Sequence, residues 1–513
     1  MLKSSPQANT IGAALSRSAR KNATSIALKF QDRQWTYKAL DLAVNKIANQ
    51  FLKQGLQPGD RVVAYGKNSD AYVLAWLAIS RAGLVHVPTN FALNAEELRY
   101  VIQQSGARAL ISDISLAATV EQAVQGAELI LQAHFYSSDS ASIDILQLAL
   151  ADLPDTAPEV SVVGDDIAQF LYTSGTTAAP KAAMMTHQAL MAEYFACMVE
   201  LDLKANEPML AALPLYHSAQ MHVFLMPALL LGVSIRLMEG PVPDLCLQWI
   251  EQEAIVSFFA PPTFWIGLLR HPDFDKRNLS SLQKAYYGAS IMPVPVLKEL
   301  ERRLPGVGLY NCYGQSEIAP LATVLRPEDH ALRPASAGKP LLTVETRIVD
   351  DNMNDLPPGE HGEIVHRSPQ LMTGYWNNPE MTAEAFKGGW FHSGDVGYFD
   401  EEGYLYIVDR IKDVINTGGI MVASREVEEA IFTHHAVSEV AVIGMPDAKW
   451  IEAITAIVVL KADISVSTEE LIEHSRLHLA AFKLPKTIVF TDALPKSTAG
   501  KILKRLLREE LQA

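Results

Sequence analysis

From Trp35 to Asp113 the sequence switches its hydrophobic period again and again, and that alternation constrains the fold more than any other feature. Tyr37 to Gly55 is amphipathic at helical spacing, Arg61 to Tyr65 is a short apolar strand, and Asp70 to Gly83 is an apolar helix closed by its glycine. Leu84 to Pro88 is a second strand. Asn94-Ala95-Glu96-Glu97 opens another helix with a capping-box-like glutamate, and Ala107 to Ile111 closes the unit. Strands joined through helices by short connections pair in parallel, and the sheet is then covered by those helices. The rhythm resumes after residue 187, through Val233 to Met238, Leu245 to Glu253 and Ile255 to Ala260. The chain therefore reads as α/β, with a large N-terminal domain of helix-covered parallel sheets. Its 513 residues exceed what one hydrophobic core organises, so at least a second domain is expected.

Near residue 340 the texture changes. Glu345 to Val349, Gly362 to Val365 and Tyr404 to Val408 are short strands separated by Asp-Asn, Pro-Pro-Gly and Glu-Glu-Gly turns, which predicts a β-rich subdomain of hairpins. Beyond Asp409-Arg410-Ile411-Lys412-Asp413 lies a compact α+β unit: helix Arg425 to Phe432, strands Ser438 to Ile443 and Ala453 to Leu460, and helix Ser467 to Leu479. The expected division is 1–409 and 410–513, the latter a normal domain size of about 100 residues.

A formal net charge of −15 argues against nucleic acid or an anionic membrane as the main partner. Cys197, Cys246 and Cys312 are the three cysteines; they lie far apart in no CxxC pairing, which fits a reducing compartment without a disulfide framework or zinc site. Met1 to Thr10 is polar and lacks the apolar core of a signal peptide. Pro208 to Ile235 carries no charged residue, yet Pro214, His217, Gln220, His222 and Pro227 interrupt it, so it reads as buried strand, loop and helix with no transmembrane segment. A cytoplasmic location follows as the expectation.

The chemistry-bearing string is Leu171-Tyr172-Thr173-Ser174-Gly175-Thr176-Thr177-Ala178-Ala179-Pro180-Lys181, closed by Thr186-His187. An apolar strand (Ala168 to Tyr172) feeds hydroxyls, a glycine turn and one lysine before a helix-like run from Gln188 to Leu201. Hydroxyls, freed backbone N–H groups and an ammonium suit a polyphosphate, although no Gly-Lys-Ser/Thr closes the segment as in a Walker loop. In Ala285-Tyr286-Tyr287-Gly288-Ala289-Ser290, small residues follow an apolar strand and admit tight packing or the close approach of a flat ring or an acyl chain. Asn311-Cys312-Tyr313-Gly314-Gln315-Ser316-Glu317 offers a stacking ring, a hydroxyl for phosphate and a carboxylate for Mg²⁺. Trp390-Phe391-His392-Ser393-Gly394-Asp395 sets an aspartate after a glycine turn, suited to ribose hydroxyls, and Arg410 can reach the same sugar. Pro495-Lys496-Ser497-Thr498-Ala499-Gly500-Lys501 is a glycine-hinged lysine loop before a basic helix, Ile502 to Arg508. Each segment alone has a bland reading as a turn, a solvated face or, for His217, a satisfied core histidine; the pair His434-His435 carries no metal role.

In this order the segments resemble the adenylate-forming superfamily: acyl-CoA synthetases, peptide-synthetase adenylation domains and firefly luciferase. The resemblance runs from Trp35-Thr36-Tyr37 to Lys501 and implies a large N-terminal domain with a small mobile C-terminal one. It implies that Thr173, Ser174, Gly175, Thr176, Thr177 and Lys181 cradle the ATP phosphates, with Thr176 catalytic. Gly288, Ala289, Ser290, Asn311, Tyr313 and Gly314 flank adenine and substrate; Ser316 meets phosphate and Glu317 binds Mg²⁺. Asp395 and Arg410 hold the ribose, Lys501 is the adenylation lysine, and Lys412 is the hinge. His217 and Gln220 belong to the acyl pocket, and Gly418, Gly419 and Trp450 to the CoA site.

Three departures from the family pattern stand out. Ala178 and Ala182 occupy positions where glycine is usual, which predicts a stiffer loop if either needs positive φ. Gln220 replaces a glycine after His217, and Ile451 replaces the glycine after Trp450. The implied reaction is ATP-dependent activation of a fatty or other apolar acid to acyl-AMP, then thioester formation with CoA. ATP, Mg²⁺ and CoA are the expected cofactors. An acyl carrier protein is the alternative acceptor and a second copy of the chain a further candidate partner. A luciferase-like oxygenase and a non-catalytic acyl-nucleotide binder are the remaining readings.

Overall fold

The computed structural model describes residues 9–137, 143–173, 180–290, 292–418, 420–447, 449–462, 464–498 and 500–512. Ser174, Gly175, Thr176, Thr177, Ala178 and Gly419 lie outside the described residues, and with them most of the expected phosphate cradle.

A six-stranded sheet runs in the order Leu131–His134, Ala107–Ser112, Arg61–Tyr65, Val85–Thr89, Ile167–Thr173, Lys181–Thr186. Its neighbours are parallel except the last two, which form an antiparallel pair flanking residues 174–179. A nine-stranded sheet has a parallel centre of Gly308–Gly314, Lys284–Gly288, Ser257–Phe259, Met209–Ala211, Ile235–Leu237 and Ile26–Phe30. Antiparallel strands finish both of its edges. Helix Asp70–Arg81 is buried along its whole length, in one hydrophobic cluster that includes residues of both sheets, such as Val62, Ile111, Leu210 and Phe258. An uninterrupted apolar sequence there is what burial on every side demands.

The hairpins expected after residue 340 form a four-stranded antiparallel sheet of Glu345–Val349, Gly362–Arg367, Phe391–Phe399 and Leu405–Arg410. Past it, the smaller C-terminal domain builds a separate five-stranded sheet from Ile415–Thr417 to Thr487–Phe490. Ile415, Val427, Val442, Ile454, Val458 and Leu471 belong to its own hydrophobic cluster.

Pro208 to Ile235 is strand Met209–Ala211, a π-helix Ala219–Leu225 and helix Met226–Leu231. Among the described residues no helix is long and apolar enough to cross a membrane. The three cysteines are free and buried. Asp395 sits inside strand Phe391–Phe399 rather than beyond a turn; Gly394, at φ +69°, deforms that strand locally without ending it.

Candidate functional site

Glu317 is set by a reversal that only glycine permits. Strand Gly308–Gly314 ends where a Cβ on Gly314 would stand 1.8 Å from the Pro320 carbonyl oxygen. The chain then makes a 3₁₀ turn, Ser316–Ile318, that buries Glu317 at 8% exposure. Its Oε1 accepts hydrogen bonds from Thr173 Oγ1 and Tyr375 Oη, both at 3.1 Å. Thr173 closes the strand entering residues 174–179, so the carboxylate is tied to the root of the expected phosphate loop. Lys181 on the returning strand lies 4.4 Å from the Tyr375 ring centroid. Glu317 Oε2 makes no protein hydrogen bond among the described residues. One free carboxylate oxygen beside hydroxyls fits Mg²⁺, a hard cation that takes one or two carboxylates plus phosphate and water. Among the described residues no cluster of three or more His, Cys, Asp or Glu offers an all-protein metal cage.

Asp395 and Arg410 face each other as a cross-strand pair, which places their side chains on one surface of the sheet. Arg410 Nε lies 2.6 Å from Asp395 Oδ1, and Tyr313 Oη donates to Oδ2 at 2.7 Å. Burial to 3% exposure pushes the Asp395 carboxyl upward, against the Arg410 charge and the Tyr313 hydrogen bond that favour its ionised form. Tyr313 is pushed well above the tyrosine range, first by burial and then by the Asp395 charge, so it remains a donor. Asn311 Nδ2 donates to the Ser336 carbonyl, and Ser316 Oγ pairs with Ser218 Oγ at 2.9 Å.

The lysine loop of the C-terminal domain lies across this face. Thr498 Oγ1 bonds to Tyr216 Oη and donates to Asn90 Oδ1 at 3.4 Å, while Thr263 Oγ1 donates to the Gly500 carbonyl at 3.2 Å. Gly500 has φ +81°, and a Cβ there would meet Thr263 Oγ1 at 2.9 Å, so the contact requires glycine twice over. Lys501 stands solvent-accessible within a crowded cleft. Burial by the cleft walls lowers its ammonium pKa first, then the nearby Arg410 and Lys412 charges, with Asp395 and Asp413 opposing. The His217 imidazole is pushed down to about 4 by burial and by Lys501, which makes it neutral near pH 7.

The expected acyl pocket is a small apolar cavity of about 10 Å³, whose lining includes Leu213, His217, Gln220, Phe259, Pro261 and Ala289. Gly288 has a packing reason: a Cβ would lie 2.2 Å from the Cys312 carbonyl on the neighbouring strand. Ala289 and Ser290 are exposed, and Ala289 takes φ +64°. Ala182 corrects an expectation. It is fully buried in strand Lys181–Thr186 opposite Tyr172 and is not among the positive-φ residues, so alanine carries no strain there.

The expected CoA residues lie elsewhere. Gly418 has φ +67°, and its N–H donates to the Trp450 carbonyl at 2.5 Å. Lys449 and Lys486 approach the Trp450 ring at 4.7 and 5.0 Å. Ile451 is 57% exposed and holds φ +66°, the left-handed backbone that glycine adopts freely and a β-branched residue resists. Among the described residues no hydrogen bond or ion pair joins Gly418, Trp450 or Ile451 to the N-terminal domain. The fold thus gathers Thr173, Lys181, Tyr313, Glu317, Asp395, Arg410 and Lys501, whereas Gly418 and Trp450 bond to one another. Tyr375, Tyr216, Thr498 and Asn90 escaped the sequence reading. Only the aromatic pair after a glycine in Gly374-Tyr375-Trp376 gave a local signal.

Residues 15–376 match the family model described as AMP-binding enzyme, and residues 426–501 match its C-terminal domain. The chain belongs to the AMP-binding enzyme family, the adenylate-forming superfamily that the motif order resembles. Within it, the chain is an AMP-forming acid–thiol ligase. It is 37% identical over 492 residues to a feruloyl-CoA synthase of an Amycolatopsis species, covering 96% of this chain and 97% of that one. It is 33% identical over 537 residues to a long-chain-fatty-acid–CoA ligase of Bacillus subtilis, covering 98% and 94%. The ATP-bound structure of MatB from Rhodopseudomonas palustris superposes with a TM-score of 0.91 at 28% identity, over 99% of both chains. The apo form of MatB, at 27% identity and the same coverage, gives 0.81.

Proposed function

We propose that the protein activates an apolar carboxylic acid as acyl-AMP and passes the acyl group to CoA. The observation that carries this is the meeting of Lys501, from the C-terminal domain, with the Asp395–Arg410–Tyr313 group of the N-terminal one. The first half-reaction is attack by the acid carboxylate on the ATP α-phosphorus: a C(O)O–P bond forms, the P–O bond to pyrophosphate breaks, and repulsion between anions is the barrier. Asp395 would accept from ribose hydroxyls while Tyr313 and Arg410 fix its carboxylate. Lys501, whose ammonium pKa is lowered by burial and by its cationic neighbours, would stabilise the charge that grows at phosphorus. Neutral His217 would let the carboxylate enter without trapping it as an ion pair. Mg²⁺ held by Glu317 would offset triphosphate charge.

In the second half-reaction the CoA thiol attacks the mixed anhydride, forming the C–S bond and releasing AMP. The proposed boundary at 409/410, with Lys412 as pivot, would carry Lys501 away and bring up Gly418, Gly419 and Trp450. Ile451 keeps the glycine-type backbone at its position, which supports retention of that face. The test is pyrophosphate release over a panel of carboxylic acids, with and without CoA. Acid-dependent release with acyl-CoA formed only when CoA is present is the expected result; no release with any acid would refute the proposal.

A further inference from the structure

Gln220 is 1% exposed at the head of the π-helix Ala219–Leu225 and lines the apolar cavity beside His217. Its Oε1 accepts a hydrogen bond from the Leu213 N–H at 3.2 Å. Only the oxygen of a carboxamide can accept from an N–H, so this bond fixes which way the amide faces. The Nε2 donor is then left buried with no partner. An unmet amide donor away from water is costly, and the residue that carries it lines a cavity with almost no polar lining. His217 adds no acceptor. Its Nδ1 already faces the Ala219 N–H at 3.5 Å, and the neutral ring then carries its proton on Nε2.

The cavity also has a firm back wall. Phe259 stacks on Phe224 with centroids 4.3 Å apart, and Phe224 packs on Tyr286 at 5.0 Å. Phe259 is the aromatic face of this small apolar space, with Phe224 and Tyr286 packed behind it, and a flat face suits a flat body better than a long flexible chain. From the pairing of an orphaned donor with an aromatic wall, we infer that the acid is an aryl acid bearing an acceptor oxygen on its ring, and that the Gln220 Nε2–H donates to that oxygen. The inference rests on the acid-activation reading above and names the class of acid within it.

The test compares two arylpropenoic acids of equal size, one with a ring methoxy group and one with an ethyl group in its place, alongside octanoic acid. Pyrophosphate release gives kcat/KM for each with the full-length protein, with Gln220→Leu and with Gln220→Met. The wild type is expected to favour methoxy over ethyl by about 10- to 100-fold, the worth of one buried hydrogen bond. Both variants should bring that ratio close to one. The ratio within a variant is internally normalised, so a general loss of activity does not imitate the result, and the wild-type panel stands if one variant fails to fold. Equal use of methoxy and ethyl acids, a preference for octanoic acid, or a ratio preserved in the variants overturns the inference while leaving acid activation intact. No release with any acid overturns the activation reading itself.

Discussion

The proposed nucleotide side and the proposed thiol side of this molecule are built in opposite ways. Around Asp395 and Glu317 the carboxylates are buried and tied to Tyr313, Arg410, Thr173 and Tyr375 from other segments of the chain. Around Trp450 the surface is open: Ile420, Met421 and Ile451 are 47%, 61% and 57% exposed, and two lysines lie against the indole. One side is held in place by contacts that over-determine it, whereas the other keeps apolar surface and a strained residue facing solvent. A region that must grip triphosphate charge gains from preorganisation. A face that engages its ligand only in a second arrangement gains from staying uncommitted in the first.

Lys501→Ala should break the comparison most severely. Acyl-AMP formation should slow by at least about 10²-fold, the scale of one preorganised charge partner, while CoA attack on supplied acyl-AMP changes far less. Equal losses in the two half-reactions, followed in single-turnover assays, would rule out a role confined to the first. Asp395→Asn weakens the sugar grip without moving the domains. It should cost about 10- to 100-fold in both half-reactions, because the adenylate keeps its ribose throughout. An effect on only one of them would contradict that assignment. Trp450→Ala addresses the open side: KM for CoA should rise about tenfold, as for loss of one base–aromatic stack, with CoA-independent pyrophosphate release unaltered.

Acid should separate the domains. Burial holds the pKa of His187 and His366 down to about 4 and of His222 to about 3, and burial with Lys501 holds His217 to about 4. All four lie in the N-terminal domain, and each folded value is below the unfolded one near 6.5. At these four sites the unfolded chain therefore binds more protons, and the stability they give above pH 6.5 is lost as pH falls towards 4, opposed by buried Glu193, which burial raises to about 8. The melting temperature of the N-terminal domain, read by tryptophan fluorescence, should drop across that window; a flat profile would contradict it. The smallest effect is expected from Ile451→Gly. Relief of left-handed strain, about 1–2 kcal/mol, is partly offset by the entropy of glycine in the unfolded chain, about 0.4–1 kcal/mol. A gain of a degree or two in melting temperature, roughly, should accompany an unchanged or lower KM for CoA; a lower melting temperature would mean the isoleucine side chain matters more than its backbone.

What could be read from the sequence follows from how local each signal is. Arg61–Tyr65 and Glu345–Val349 begin and end where expected, because their apolar runs stop at strong turn residues. Asn94 forms the capping box that Glu97 announced. Strand Gly308–Gly314 carries little strand signal, because Asn311, Tyr313 and Gly314 break the apolar pattern of a central strand. Gly394 gives Asp395 the local signature of a turn, yet pairing of its strand with both neighbours overrides that preference. Among the expected site residues, Asp395 and Arg410 are read as acting together, and the register makes them cross-strand neighbours. The Tyr216–Thr498 contact spans 282 positions and has no local trace. Ala182 looked like a missing glycine because nothing in the sequence reveals that its backbone is ordinary strand.

The Asp395–Arg410 pair is the final rung of the four-stranded sheet, and the next residue, Ile411, still donates its N–H to the Gly394 carbonyl at 3.0 Å. A swing starting at Lys412 would therefore turn on an axle bolted to the very bracket proposed to grip the sugar. The bearing has no slack on its fixed side, so the angle at the pivot alone would decide where Lys501 lands, 89 positions further along the chain. Loosening that bolt would blur the aim of the lysine even with every residue in the cleft untouched.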